Sequence, residues 1–344
     1  MRRFSPVWFH RKIIELHEEA SVRSQPRRVK ARNGHKIAWA GLCAATLLLI
    51  APGGTAYGAA LDLASLVRKP AALILILSSL WIVVKSRLWS SRLAALFAVA
   101  FAGWAIAPGA SPPPGECAAG APILRIAWIN AMHPPSADPI ASWIADEMPQ
   151  VVGIAELDAS SHELRKVLTR RYPHWASCLP NGRCSTLLYA RQHPSAIWPL
   201  ARRDPENRKS LSAVQMHVRS DSPNGEYHIF AVHLSRALPL GRQAQELAKL
   251  EAAMIDPANT VIMGDLNMAP TMRILGDFAA RNGLQIVKTE GPTWPLRIGT
   301  WGTPGLWQID HLLIGQNWKL KSIRLSPDLG SDHCGYVADL CRKR

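Results

Sequence analysis

"VIMGDLNMAP", residues 261–270, joins a short apolar run to a glycine, an aspartate and an asparagine. Val261, Ile262 and Met263 read as a buried strand, and Gly264 loosens the backbone ahead of Asp265 and Asn267. In extended chain, side chains at i and i+2 share a face. One carboxylate and one carboxamide therefore project together from a strand end. Gly, Asp and Asn are also common turn formers. The rest of the chain has to separate a polar turn from a chemical site.

From residue 123 onward, short apolar strands alternate with helical stretches. "ILRIAWIN" (123–130), "VVGIAELD" (151–158), "STLLYAR" (185–191), "LSAVQMHV" (211–218), "YHIFAVHL" (227–234), "QIDHLLIG" (308–315) and "CGYVADL" (334–340) read as strands. Residues 138–147, 160–171, 241–255 and 271–281 read as helices, the third with Leu247, Leu250 and Met254 on one face. Consecutive strands mixed with helices predict two mainly antiparallel sheets covered by helices.

Several of these strands end in a polar residue with chemical capacity. Asn130 ends the first and Glu156 the second; His233 sits in "AVHL". Asp310 and His311 follow "WQI", and Asp332 and His333 precede the last strand. With Asp265 and Asn267 they make a kit for metal-assisted hydrolysis of a phosphate ester. Carboxylates hold a hard cation such as Mg²⁺ through oxygen. A histidine near neutrality exchanges a proton, and a carboxylate can fix its tautomer. Asn side chains donate hydrogen bonds without repelling an anion. His311 follows Asp310 directly, so a regular strand turns it to the opposite face. Trp294, Trp301 and Trp307 either line a substrate lip or simply pack.

"AWIN", "GIAELD", "CSTLLYAR", "FAVHL", "RQAQEL", "MGDLNMAP", "QIDHLLIG" and "SDHCGYVADL" appear in one order across residues 123–340. This ordered set resembles the endonuclease/exonuclease/phosphatase (DNase I-like) superfamily. The resemblance implies an α/β fold, a four-layer α-β-β-α sandwich with its site at one edge of the paired sheets. By resemblance, Glu156 would ligate Mg²⁺ or Mn²⁺, with Asn130 nearby and Asp332 near the metal. Asp265 would orient or deprotonate the attacking water. Asn267, Asn130 and His233 would contact the phosphate or leaving group, and Asp310 and His333 would form a carboxylate–imidazole pair. Two positions depart from the pattern: Ala155 stands before Glu156 where many members carry Gln, and Met132 where some nucleases carry an acid. One-metal chemistry survives these departures; a second metal site is left in doubt.

The chain has 344 residues and a formal charge of +15, unevenly placed. Residues 1–36 form a basic arm with ten Lys/Arg against three Glu, whereas residues 121–344 hold 25 basic and 20 acidic side chains. The charge therefore does not favour nucleic acid as the domain's partner, and the arm suits anionic headgroups or cytoplasmic retention. No charge occurs in Ile37–Leu61, Ala71–Val84 or Leu93–Gly115. A helical span needs about 20 apolar residues, so the first and third runs qualify. The second is short, and Lys69 and Lys85 could extend its reach by snorkelling. Residues 37–107 are thus expected to form three transmembrane helices. A cleaved signal peptide fits less well, because the first run begins late and two more follow.

Three spans keep the basic arm and the 85–92 loop inside and put the domain at 123–344 outside a bacterial cytoplasmic membrane; two spans would leave it in the cytoplasm. Residues 108–122 read as a Pro-rich linker. Cys178 and Cys184 bracket "LPNG", and a bridge between them would suit an oxidising compartment. Cys117, Cys334 and Cys341 cannot be paired from sequence. The expected function is membrane-anchored, metal-dependent hydrolysis of a phosphate ester or anhydride, with tethering favouring a lipid-linked phosphate. A metal-dependent nuclease and a catalytically silent tethered module are the alternatives. No obligate protein partner is inferred.

Overall fold

The computed structural model describes residues 36–47, 62, 68–85, 88–106, 115–132, 138–157, 162–178, 186–200, 211–219, 226–298, 301–303 and 305–343. Residues 1–35 of the basic arm, 48–61 of the first apolar run, 108–114 of the linker, and Cys184 lie outside them. The chain divides into two compact units, one comprising Met1–Gly53 with Val67–Pro108, the other Gly54–Leu66 with Gly109–Arg344.

The first unit contains α1 (residues 36–47), α2 (Arg68–Lys85) and α3 (Trp89–Ile106). Small side chains let these helices approach: Ala45, Ala71, Ala72, Ala98 and Ala102 pack around Leu75, and Ala38 and Ala95 around Ile82. Large apolar side chains point outward, among them Leu73, Leu77, Leu80, Val84, Leu93 and Phe97. Among the described residues, no helix is long and apolar enough to cross a membrane.

The second unit is a two-sheet sandwich. Its strands are β1 (Ile123–Asn130), β2 (Val151–Ala155), β3 (His174–Ser177), β4 (Leu187–Ala190), β5 (Pro194–Pro199), β6 (Ser212–Arg219), β7 (Glu226–His233), β8 (Thr260–Asp265), β9 (Gln285–Val287), β10 (Arg297–Ile298), β11 (Trp301–Gly302), β12 (Asp310–Ile314), β13 (Trp318–Leu325) and β14 (Tyr336–Arg342). One sheet has the order β13-β14-β1-β2-β4-β3 and the other β5-β6-β7-β8-β12-β9; β10 and β11 form a small ribbon. Among the described residues of the two large sheets, only β1–β2 and β7–β8 pair in parallel.

Side chains alternate along these strands to fill three apolar layers. Trp128, Met216, Ile229, Met263, Leu312 and Tyr336 fill the space between the sheets. Ile126 and Trp128 face that space, while Ala127 and Ile129 face α4 (Asp138–Glu147) and α5 (His162–Arg171). Phe230, Ile262 and Leu313 meet α6 (Arg242–Ala253) and α7 (Arg273–Arg281) on the far side of the other sheet. The order is helix, sheet, sheet, helix, as expected.

Gly264 and Gly153 are among the glycines required by close approach. A Cβ on Gly264 would stand 2.2 Å from the Val232 carbonyl oxygen, and one on Gly153 would stand 2.8 Å from the Trp128 ring. The neighbour of Gly264 is sheet backbone, which cannot rotate away. Gly264→Ala is expected to lower stability by about 2 kcal/mol or more through overpacking, measured as a shift in the urea midpoint.

Two features tie the ends of the domain together. Cys117 and Cys341 form a disulfide that joins the segment before β1 to β14, and Cys178 is also disulfide-bonded. Arg125 on β1 donates to Asp339 on β14 through two hydrogen bonds of 2.7 and 3.0 Å. Burial would raise the Asp339 pKa, but the guanidinium beside it reverses that and holds it below the usual value. A depressed folded-state pKa gives stability that is complete above the ordinary carboxylate range and is lost as pH falls through the lower folded value. Asp339→Asn is expected to destabilise by about 1–3 kcal/mol at neutral pH. The gap to wild type should close in acid, which thermal melts across pH would measure.

Candidate active site

Strand register assembles the site before any loop is considered. His233 on β7 pairs with Asp265 on β8, and Asp265 pairs with Asp310 on β12. In the opposite sheet, Asn130 on β1 pairs with Ala155, which places Asn130 beside Glu156. Both parallel pairs end here, so four strands deliver polar side chains to one rim of the sandwich.

Asp265 is the hub. Its Oδ2 accepts from Asn130 Nδ2 at 3.0 Å and lies 3.7 Å from His233 Nε2 and 3.9 Å from His333 Nε2. Its Oδ1 accepts from the Asn267 backbone N–H at 2.9 Å. Burial and the neighbouring Asp310 push its pKa up to about 6, against the opposing pull of His333 and His233. Glu156 stands across the cleft, with Oε1 3.6 Å from His233 Nε2 and 3.3 Å from Asn130 Nδ2.

The Asp310–His333 pair is held from several sides. His333 Nδ1 lies 2.9 Å from Asp310 Oδ2, so Nε2 faces Asp265. Asp310 Oδ1 accepts from Trp128 Nε1 at 2.9 Å, which holds the carboxylate in place. Thr293 Oγ1 accepts the backbone N–H groups of Ile309 and Asp310. Burial opposes a charge on His333, but Asp310, Asp265 and Asp332 outweigh it and raise its pKa to about 9.

Backbone strain sits at the same place. Glu156 and Asn267 adopt φ of 53° and 51°, a left-handed conformation that non-glycine residues seldom take. Helix α6 braces the Asn267 turn from below. Gln243 Nε2 donates to the carbonyls of Ser235, Leu266 and Asn267. Glu246, fully buried, accepts from the Leu211 and Ser235 backbone N–H groups and from Ser235 Oγ.

Asn130, Glu156, His233, Asp265, Asp310 and His333 thus converge, with Asn267 on the adjoining turn. The Asn267 side-chain amide donates to the Leu234 carbonyl at 2.9 Å, which ties β7 to the turn. Asp332 accepts from Trp294 Nε1 at 3.1 Å and belongs to neither of the two clusters of potential ligands. Trp294 stacks on Trp307 at 5.5 Å and lies 6.3 Å from the His333 ring. His311 turns away and bonds the Met268 carbonyl. Trp128, Thr293, Gln243 and Glu246 carry supporting roles that sequence pattern alone does not assign. Trp128 is within reach of such a reading, since it stands two residues before Asn130 on one strand face. Gln243 and Glu246 are signalled by polar residues four and one positions before Leu247 on an apolar helix face.

The donors suit a hard divalent cation. Glu156, His233 and Asp265 can offer atoms within 4.8 Å of one another, and so can Asp265, Asp310 and His333. Asn130 Oδ1 is buried with no hydrogen-bond partner, an acceptor that a cation would satisfy.

A family model described as Endonuclease/Exonuclease/phosphatase family matches residues 127–333. A comparison with curated protein sequences gives no match. Among solved structures, a family protein from Bacteroides thetaiotaomicron is 13% identical, with a TM-score of 0.52 over 65% of this chain and 99% of that one. A mutant form of Staphylococcus aureus beta toxin with bound magnesium ions is 14% identical, with a TM-score of 0.51 over 64% and 99%. A functionally unknown conserved protein from Enterococcus faecalis is 16% identical, with a TM-score of 0.51 over 64% and 100%. At these identities the structures speak for the fold alone, and the family match covers more than half of the chain with every converging side chain inside it. The chain belongs to the endonuclease/exonuclease/phosphatase family, whose members are hydrolases acting on phosphate esters.

Proposed function

We propose that this chain is a divalent-metal-dependent phosphohydrolase, held at a membrane and acting outside the cytoplasm on a lipid-linked phosphate ester. The observation that carries the chemistry is the hub at Asp265, within 3.9 Å of two imidazoles and hydrogen-bonded to Asn130. Glu156 and the unpaired Asn130 Oδ1 would hold Mg²⁺ or Mn²⁺. When bound, the cation would neutralise charge that builds on the phosphoryl oxygens.

The remaining roles belong to side chains. Asp265, with its pKa near 6, accepts a proton from the attacking water as that water closes on phosphorus. His333, kept as imidazolium by Asp310, donates to a phosphoryl oxygen through Nε2. His233, between Glu156 and Asp265, sits where a leaving oxygen needs a hydrogen bond. Trp294 forms an aromatic wall beside this centre.

The location rests on other features. The Cys117–Cys341 bridge and the bonded Cys178 favour an oxidising compartment. The three charge-free runs in residues 37–115 and the outward-facing apolar side chains of α2 and α3 favour a lipid surround.

The test is turnover by the full chain in detergent, with Mg²⁺ or with a chelator, on bis-p-nitrophenyl phosphate, polyprenyl phosphate and single- and double-stranded nucleic acid. Metal-dependent release of phosphate or nitrophenol, strongest on the lipid, is expected. No turnover on any substrate would leave a silent module, and a dominant nucleic-acid signal would make it a nuclease. A reporter fused after Arg344 that is active only outside the cytoplasm would support the placement of the domain.

A further inference from the structure

We propose that the loop from Arg236 to Arg242 docks on the anionic surface of a lipid bilayer beside the catalytic centre. The loop begins three residues after His233, the imidazole between Glu156 and Asp265. Its tip carries Leu238 and Leu240, which are 64% and 48% exposed. Two isobutyl groups presented to solvent next to a cleft gain nothing for the core of the domain.

The base of the loop, by contrast, is firmly held. Ser235 is bound by Glu246 through both its backbone N–H and its hydroxyl, and its carbonyl accepts from Gln243. The same Gln243 amide reaches the Asn267 carbonyl, so the loop and the catalytic turn share one anchor. A rigid base with an apolar tip is the arrangement expected of an element that inserts into an interface. Arg236 is exposed and Arg242 half-buried at the two ends of the tip, which places cations at headgroup depth when the leucines enter the acyl boundary.

A second observation selects lipid as the occupant. Asp62 is buried against this side of the domain, and its carboxylate accepts the backbone N–H groups of Arg273 and Ile274 at 3.1 and 3.0 Å. It supplies the cap that Met272, at the N-terminus of α7, lacks. Asp62 also shares a small cavity with Ala237, Gly241 and Gln243, so it lies against the loop itself. In the sequence, Asp62 directly follows the charge-free run Ile37–Leu61. Two exposed leucines flanked by Arg236 and Arg242 match an anionic bilayer better than a second protein. The inference rests on the hydrolase reading for its consequence: substrate would be taken directly from the headgroup layer.

The experiment uses the full chain in vesicles of phosphatidylcholine with or without phosphatidylglycerol. Cys43, a free and exposed thiol, is first replaced by Ser. An environment-sensitive fluorophore is then placed by Leu240→Cys, or by Ile255→Cys just beyond the other end of α6 as a control. Brominated acyl chains should quench the label at 240 and spare the one at 255, with stronger quenching when phosphatidylglycerol is present. A label at 240 that lipid does not quench overturns the proposal. If that label is also shielded from aqueous iodide, a protein surface covers the loop instead. The double variant L238S/L240S should lower turnover of polyprenyl phosphate in vesicles about tenfold and leave bis-p-nitrophenyl phosphate unchanged. Equal loss on both substrates overturns the coupling of docking to catalysis. Absence of any wild-type turnover would sink the hydrolase reading, while the quenching result would still judge the docking.

Discussion

Asp265→Asn is expected to lower kcat/KM on a phosphodiester by about a thousandfold or more, with the fold intact. The carboxamide is nearly isosteric and can still accept the Asn267 backbone N–H. It cannot take a proton from water, and it removes the negative charge that both imidazoles face at 3.7 and 3.9 Å. Loss of a general base acts on kcat, so KM should move little. The stability effect has the opposite sign. Burial and Asp310 raise the folded pKa of Asp265 from 3.8 to about 6, so the unfolded chain ionises more readily than the folded one. Stability from this group therefore falls as pH rises from about 4 to about 6 and stays reduced above. In the presence of chelator, Asp265→Asn should melt higher than wild type at pH 7 and level with it at pH 4. A variant that loses activity and also melts lower at pH 7 would mean that Asp265 supports the fold rather than the reaction.

That stability penalty at a candidate functional position explains why the candidate site is legible in the sequence. An aspartate and an asparagine closing an apolar strand conflict with burial, as do Asp310 after "WQI" and His233 in "AVHL". Local pattern locates each of these residues, and alternation gives the facing of His311 as well. Partnership is what pattern cannot provide. Trp128 touches Asp310 across 182 residues, and Asn130 touches Asp265 across 135. Such pairs depend on how two sheets stack, a matter of register and twist that no local stretch encodes. The Cys117–Cys341 bridge spans 224 residues and is hidden from a local reading because it depends on β14 pairing beside β1 in one sheet. Asp62 is a sharper case. In the sequence it is one of a few charges between apolar runs, yet it caps a helix that starts 211 residues later. The cap position at Met272 has no side-chain acceptor of its own, and only the folded chain shows which carboxylate fills it.

His333→Ala is expected to lower kcat by about two to three orders of magnitude, through loss of the proposed donor to the phosphoryl group. The informative comparison is Asp310→Asn. Asp310 gives His333 both a charge and a hydrogen bond at 2.9 Å, and these outweigh the burial that alone would lower its pKa. With Asp310 present, the imidazolium persists until about pH 9, so wild-type activity should hold through neutrality and fall only as pH passes that value. Removing the Asp310 charge leaves burial dominant and lowers the His333 pKa. The alkaline limb of the pH–rate profile should then move to lower pH, with much of the activity recovered in mild acid. His333→Ala has no imidazole to titrate and should show a low rate without that limb. Trp128→Phe provides the graded case, because it removes only the 2.9 Å hydrogen bond that seats Asp310 and keeps most of the buried ring. Its limb should move in the same direction as that of Asp310→Asn, by less. Coincident profiles for wild type and Asp310→Asn would show that the pair packs together without setting the charge of His333, and the imidazolium role would have to be abandoned.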